Sequence, residues 1–308
     1  IGRLFFRLAF GNKDFEIVAI NDLGDSANLA HLLQYDSVYG RYEKEVKVRQ
    51  GSLVIGGKRV KFLQEKDPTK LPWKKLKVNL VVEATGAFES YEKAKVHLAA
   101  GAKRVVITAP AKDADSNAVA GGGKTVLMGV NEREMRGVVI TSNGSCTTNA
   151  ASPVIAVMAQ SPGIKKAILN TVHGYTATQS LVDGPTKGKD FRRGRAAAVN
   201  IVPSTTGAAI AVTRAFRPLS LKFDGMAMRV PVISGSVADI TFVAKRKTSV
   251  EEVNSIFRKA AKSPKWKGIL AVTDDQLVSS DIVGEPYGAI VDLSFTKVVD
   301  HDLVKVLA

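Results

Sequence analysis

The first half of the chain alternates short apolar runs with helical patterns, and this alternation restricts the fold more than any other feature. Residues Phe15 to Asn21, Val78 to Ala84 and Arg104 to Thr108 read as strands, while Leu29 to Tyr35 and Tyr91 to Ala100 read as helices, the second capped by Gly101. A strand that is apolar on both faces must be covered on both faces. That requirement predicts a parallel sheet flanked by helices, an α/β fold. Ligands of such sheets sit at the carboxyl ends of the strands. Asp22 is at one such end, about twenty residues after Gly2, the separation expected between a dinucleotide glycine motif and the acid that holds the adenosine ribose. A turn-forming aspartate would fit the position equally well. Thr85-Gly86 and Thr108 end two further strands and can line the same crevice.

The chain has 308 residues, of which 45 % are hydrophobic, enough for a sizeable core in one large or two ordinary domains. Its apolar runs are short and broken by charge, which excludes a transmembrane span and a membrane partner. A single cysteine excludes an internal disulfide and suits a reducing compartment, and no zinc-type spacing or other metal motif occurs. The net charge is +15, with clusters at Lys70, Lys74, Lys75 and Lys77 and at Lys259, Lys262, Lys265 and Lys267. A solvated basic face explains these clusters as well as a polyanion site does. No aromatic residues interleave with them, as a base-stacking platform would require.

The lone cysteine lies in Ser142-Asn143-Gly144-Ser145-Cys146-Thr147-Thr148-Asn149. An apolar stretch, Val138-Val139-Ile140, precedes this segment and reads as a strand; Ala150 to Met158 follows and reads as a helix with an early proline. Cys146 therefore falls at or near a first helical turn, where exposed N–H groups and the macrodipole favour a thiolate. Hydroxyl and amide neighbours distinguish it from an inert core cysteine, and a thiolate is a nucleophile for carbonyl carbon.

The second half supplies a candidate base. His173 ends the predicted strand Lys166 to Val172, beside Thr176 and Thr178. Paired with a helix-start cysteine it becomes a general base candidate. His31 and His97 fall inside helical patterns and His301 sits in a turn. Arg193 lies in a basic loop suited to a phosphate or another subunit. Ser204, Thr205 and Thr206 open the helix Ala208 to Phe216, as a plain cap or an anion pocket. Arg229 is a charge within an otherwise apolar strand and needs a partner, either a bound phosphate or a buried ion pair.

Together these segments resemble the phosphorylating glyceraldehyde-3-phosphate dehydrogenases along nearly the whole chain, most specifically at Ser142 to Asn149 and His173 to Gln179. The resemblance implies a Rossmann-type NAD-binding domain over residues 1–145 and an α+β catalytic domain with a mostly antiparallel sheet over 146–308. It implies Cys146 as nucleophile and His173 as base. Thr176, Thr178, Arg193 and Arg229 would hold the substrate phosphate, and Ser145, Thr147 and Thr206 the inorganic phosphate. Gly2, Asp22, Thr85, Gly86 and Thr108 would contact NAD. The implied chemistry is glycolytic: the aldehyde becomes a cysteine thioester, then 1,3-bisphosphoglycerate. Asp183-Gly184-Pro185 is similar to the NAD-using members, and its loop suggests a homotetramer.

Against that family both ends look abrupt, which predicts a first strand and a C-terminal helix outside this sequence. Erythrose-4-phosphate dehydrogenase shares the cysteine and histidine but differs after the histidine. An RNA- or polyanion-binding relative is the alternative of another class; such binding would be secondary to catalysis by an intact Cys146 and His173. The expected setting is the cytoplasm.

Overall fold

Four helices begin for one local reason. The side chains of Asp25, Ser90, Ser145 and Ser249 accept hydrogen bonds from the backbone N–H three residues ahead, satisfying a donor that the helix cannot use itself. A computed structural model describes residues 1–116, 122–186 and 188–308. The chain divides into two units, Ile1–Lys124 with Arg136–Asn143, and Thr125–Met135 with Gly144–Ala308.

The first unit begins with α1 (Gly2–Ala9), β1 (Ala19–Asn21) and α2 (Ser26–Gln34). A small hairpin follows, β2 (Tyr35–Asp36) and β3 (Gly40–Arg41), and then β4 (Val46–Arg49), β5 (Ser52–Ile55) and β6 (Lys58–Leu63). β5 turns into β6 through Gly56 and Gly57, at φ +53° and +83°. That two-residue turn needs positive φ at both positions, and glycine supplies it without strain. β7 (Leu80–Glu83), α3 (Tyr91–Ala99), β8 (Arg104–Ile107), β9 (Gly123–Thr125) and β10 (Ile140–Ser142) complete the set.

The parallel pairing expected from the sequence is present, β1 with β6 and β8 with both β7 and β10. It is divided between two sheets, ordered β1-β6-β5-β4 and β7-β8-β10-β9. The first of these ends in antiparallel hairpins, so it is mixed rather than parallel throughout.

The second unit contains α4 (Cys146–Gln160), β11 (Ile164–Gly174), β12 (Val202–Thr205), α5 (Ala208–Ala215), β13 (Phe223–Val230), β14 (Ser236–Ala244), α6 (Val250–Lys262), β15 (Leu270–Thr273), β16 (Ala289–Val299) and β17 (Leu303–Leu307). Its seven strands form one sheet in the order β12-β13-β11-β14-β17-β16-β15. The neighbours pair antiparallel except β13 with β11 and β15 with β16. Alternate residues of the strands, such as Leu169, Ile240, Phe242, Val291 and Val304, share one core with Val154, Ile155, Met158, Val212, Val253 and Phe257 of the helices. Burying a side chain the size of Phe257 stabilises by roughly 1.5–3 kcal/mol relative to exposure.

Several boundaries differ from the sequence reading. α4 begins at Cys146 rather than near Ala150, so Pro153 lies inside the helix. The cysteine segment is itself helical because the Ser145 cap sets its start. The preceding strand runs Ile140–Ser142, not Val138 to Ile140. Ala100, not Gly101, is the cap of α3, and Gly101 follows at φ +106°. β11 continues through His173 to Gly174, because neighbours on both sides keep pairing with it.

Candidate active site

Gly144, at φ +71°, turns the chain into α4, and a Cβ there would meet the Thr148 side chain at 2.9 Å. Ser145 follows as the cap. Its Oγ accepts from the Thr148 N–H at 3.1 Å, and Thr148 Oγ1 accepts from the Ser145 N–H at 3.1 Å. This reciprocal box satisfies two donors and fixes the first turn. Cys146 is therefore the first helical residue, exposed to solvent, with the positive end of the macrodipole behind it.

His173 reaches that turn from β11. In the register, His173 lies beside Arg229 of β13 and Ser236 of β14. Cys146 Sγ and His173 Nε2 are 3.1 Å apart. His173 Nδ1 lies 2.6 Å from the Gly174 carbonyl oxygen, and Nε2 faces the thiol. Enclosure of the sulphur works to raise the Cys146 thiol. The His173 hydrogen bond and charge, with the Thr147 N–H and hydroxyl, outweigh it and hold the thiol below its ordinary value.

Beneath this pair is a cluster of hydroxyls. Thr147 Oγ1 lies 3.4 Å from Thr171 Oγ1 and 3.2 Å from Ser236 Oγ, and those two are 3.0 Å apart. Thr147 and Thr171 are buried, so the Thr147 hydroxyl turns into the fold rather than toward solvent. Thr171 shares a strand face with His173 and could have been found by period-two counting. Ser236 enters only through the β14 register, which no local sequence signal reveals.

Two guanidinium groups converge beside the histidine. Arg229 Nη1 is 2.7 Å from His173 Nδ1 and 3.1 Å from the Gly174 carbonyl oxygen. Its Nε is buried and has no hydrogen-bond partner among the described residues. Burial, followed by the positive charge of Arg193, pushes the Arg229 guanidinium below its ordinary value, and the Cys146 thiolate opposes that shift. Arg193, in a short 3₁₀ turn at Phe191–Gly194, donates to Thr178 Oγ1 at 3.0 Å and to Ser204 Oγ at 2.6 Å. Thr178 Oγ1 is in turn 3.0 Å from Thr176 Oγ1. Two cations at short range with an unpartnered donor favour an anion. Thr206 stands apart. Its Oγ1 accepts from the Ala208 N–H at 3.1 Å at the start of α5, and no hydrogen bond links it to Cys146 or Arg229 among the described residues. Ser204 was read as part of a pocket; its role of holding Arg193 appears only in the fold.

In the first unit the candidate cofactor residues lie at strand ends. Asp22 follows β1, exposed, with Oδ1 accepting from the Gly24 N–H at 2.9 Å. Thr85 and Gly86 follow β7, both exposed, with Gly86 at φ +76°. Thr108 follows β8, and Gly2 opens α1 against Ala84. The basic residues that could offset Asp22 are engaged elsewhere, Arg41 over the Tyr35 ring at 5.7 Å and Lys44 with Glu43. No group of three or more His, Cys, Asp or Glu residues among those described could hold a metal, and no described helix is long and apolar enough to cross a membrane.

Comparison with known proteins assigns the family. Residues 1–91 match the family "Glyceraldehyde 3-phosphate dehydrogenase, NAD binding domain", and residues 145–308 match "Glyceraldehyde 3-phosphate dehydrogenase, C-terminal domain". A glyceraldehyde-3-phosphate dehydrogenase of Streptomyces coelicolor is 45 % identical over 310 residues, covering 100 % of this chain and 89 % of the relative. One from Thermotoga maritima is 46 % identical over 309 residues, covering 99 % and 90 %. Glyceraldehyde-3-phosphate dehydrogenase 2 of Bacillus subtilis is 42 % identical over 310 residues, covering 100 % and 88 %. With both halves matched and near-complete coverage, the chain belongs to the glyceraldehyde-3-phosphate dehydrogenase family.

Proposed function

We propose that the chain oxidises D-glyceraldehyde 3-phosphate with NAD and inorganic phosphate to 1,3-bisphosphoglycerate, the phosphorylating step of glycolysis. The observation that carries this reading is the 3.1 Å contact between a helix-start thiol and a histidine, beside two converging guanidinium groups.

The Cys146 thiolate attacks the aldehyde carbon. The backbone N–H of Cys146 and the Nε2–H of His173 stabilise the oxyanion, and proton transfer from His173 gives a hemithioacetal. NAD, when bound, supplies the hydride acceptor. As the hydride leaves, Nε2 of His173 takes the hydroxyl proton, so the carbon becomes a thioester on Cys146. The contacts of Nδ1 with the Gly174 carbonyl and the Arg229 guanidinium orient the ring. Inorganic phosphate attacks the thioester, Cys146 leaves as thiolate, and the acyl phosphate is released. The thioester retains the energy of oxidation until phosphate arrives.

Two anion sites serve this chemistry because two phosphates sit at opposite ends of a three-carbon chain. Arg193, Arg229, Thr176 and Thr178 are assigned to the substrate phosphate, a reading supported by the contacts of Arg193 with Thr178 and of Thr178 with Thr176. Ser145, Thr147 and Thr206 are assigned to the inorganic phosphate. The Thr147 hydroxyl must leave its buried partners to serve, whereas Thr206 already lies at a helix start, where its Oγ1 accepts from the Ala208 N–H.

The first unit fits NAD. Among the described residues Asp22 forms no ion pair, and Arg41 and Lys44 are engaged by Tyr35 and Glu43. Thr85, Gly86 and Thr108 line adjacent strand ends, where such sheets bind dinucleotides, and Gly2 opens the first helix. We assign a homotetramer on the segment after His173. Leu181, Val182, Phe191, Val199 and Ile201 are each at least 67 % exposed, an apolar surface suited to another copy of the chain. The lone cysteine supports a reducing setting, the cytoplasm. The test is turnover of glyceraldehyde 3-phosphate, NAD and phosphate by the full chain. NADH formation that Cys146→Ser abolishes supports the reading. Preference for erythrose 4-phosphate, or no turnover, contradicts it.

A further inference from the structure

The first unit holds a buried carboxylate–imidazole pair that the chemistry above does not use. Glu83, the last residue of β7, and His97 of α3 are 5 % and 4 % exposed, and Glu83 Oε2 lies 3.0 Å from His97 Nε2. The Trp73 indole N–H points at His97 Nδ1 from 3.3 Å. An indole N–H can only donate, so Nδ1 accepts and the ring proton sits on Nε2, facing the carboxylate. The other carboxylate oxygen of Glu83 accepts from the Thr85 N–H at 2.8 Å and from the Thr85 hydroxyl at 2.5 Å.

Glu83 also acts through its backbone. Its carbonyl accepts from the Thr108 N–H at 3.0 Å and from the Thr108 hydroxyl at 3.1 Å. One residue therefore ties together two strand ends assigned to the cofactor. The loop between is pinned on its far side too. Thr85 Oγ1 accepts from the Ala87 N–H at 3.0 Å, and the Phe88 ring packs edge-on against His97 at 5.6 Å. Gly86, at φ +76°, lies between Thr85, which is hydrogen-bonded to Glu83, and Phe88, which packs on His97. Burial works against the Glu83 charge, and the His97 and Thr85 hydrogen bonds more than compensate, so the carboxylate stays ionised at neutral pH.

We infer that Glu83, with its charge fixed by His97 and Trp73, is a positioning residue for NAD. Through Thr85 and Thr108 it presets the loop at Gly86 before the cofactor arrives. The inference rests on the reading of Thr85, Gly86 and Thr108 as cofactor contacts. Binding then meets an ordered loop and does not pay to organise it.

The experiment is calorimetric titration of NAD⁺ into the full chain. Glu83→Gln puts an amide N–H against the His97 N–H or the Thr85 donors, so the dissociation constant for NAD rises about tenfold. The KM for NAD rises with it while the KM for triose phosphate holds. In Thr85→Val, adding Glu83→Gln costs much less than tenfold, because the two act in series. Trp73→Phe keeps the ring and removes the donor that sets the His97 proton; it weakens NAD about threefold, and it serves if Glu83→Gln does not fold. An unchanged NAD affinity in a folded Glu83→Gln or Trp73→Phe overturns the inference, as does full additivity with Thr85→Val. If Thr85→Val and Gly86→Val themselves leave NAD affinity unchanged, the cofactor-loop reading fails, and the inference with it. If those two weaken NAD and Glu83→Gln does not, only the positioning role fails.

Discussion

Cys146 Sγ and His173 Nε2 meet at 3.1 Å across 27 positions of sequence, one from the first residue of a helix and the other from the end of a central strand. Neither element supplies the chemistry alone. The helix start favours a negative sulphur, and the strand delivers the group that takes and returns its proton.

The first consequence concerns pH. The thiol is held below its ordinary value, so the thiolate fraction is complete on the alkaline side and falls only as pH drops through that lowered value. The midpoint of iodoacetamide alkylation of Cys146 against pH therefore lies below about 8.5, the value for an unperturbed thiol. In His173→Asn the enclosure of the sulphur remains and its principal counterweight is gone, so the midpoint moves up. Turnover of that variant falls by roughly 10²–10⁴. A wild-type midpoint at or above that of a free thiol, or an undiminished rate in His173→Asn, argues against the pair.

Arg229 lies beside the base and the proposed anion site, and its buried Nε has no hydrogen-bond partner among the described residues. Arg229→Ala is expected to raise the Michaelis constants for both triose phosphate and inorganic phosphate, and Thr206→Ala mainly the second. A lost charge-assisted contact of about 1.5–3 kcal/mol corresponds to roughly 10- to 150-fold. Steady-state kinetics checks the pattern. Equal use of glyceraldehyde lacking its phosphate runs against the proposed anion sites.

Cofactor choice depends on Asp22. A 2′-phosphate would meet its carboxylate, and the adjacent Leu23 and Gly24 supply no cation. Arg41 and Lys44 are held by Tyr35 and by Glu43. Catalytic efficiency is therefore expected to be far greater with NAD than with NADP, and Asp22→Gly should narrow the difference. Comparable efficiency with both cofactors in the wild type contradicts this role of Asp22.

The legibility of the site in the sequence follows from its physics. Cys146 is readable because a helix start, a cap and the absence of apolar neighbours are local facts. His173 is readable as a strand-end base, although the strand runs on past it, because pairing on both sides extends it. Thr171, Ser236 and Ser204 gain their roles from register across β11, β12, β13 and β14, and register is a long-range property. His97 reads as an ordinary helical residue until Glu83 and Trp73 are folded against it. The mostly antiparallel sheet of the second unit is implied by family resemblance rather than by periodicity; its seven strands and two parallel pairs are long-range facts of the fold.

The central claim is that oxidation passes through an acyl group on Cys146. Mixing the enzyme with NAD and glyceraldehyde 3-phosphate in the absence of inorganic phosphate, and following NADH and intact mass together, tests this most directly. The account predicts a burst of about one NADH per chain and an added 3-phosphoglyceroyl group on the peptide containing Cys146, discharged when phosphate is supplied. No burst in the active enzyme, or an acyl group on any other residue, would contradict it.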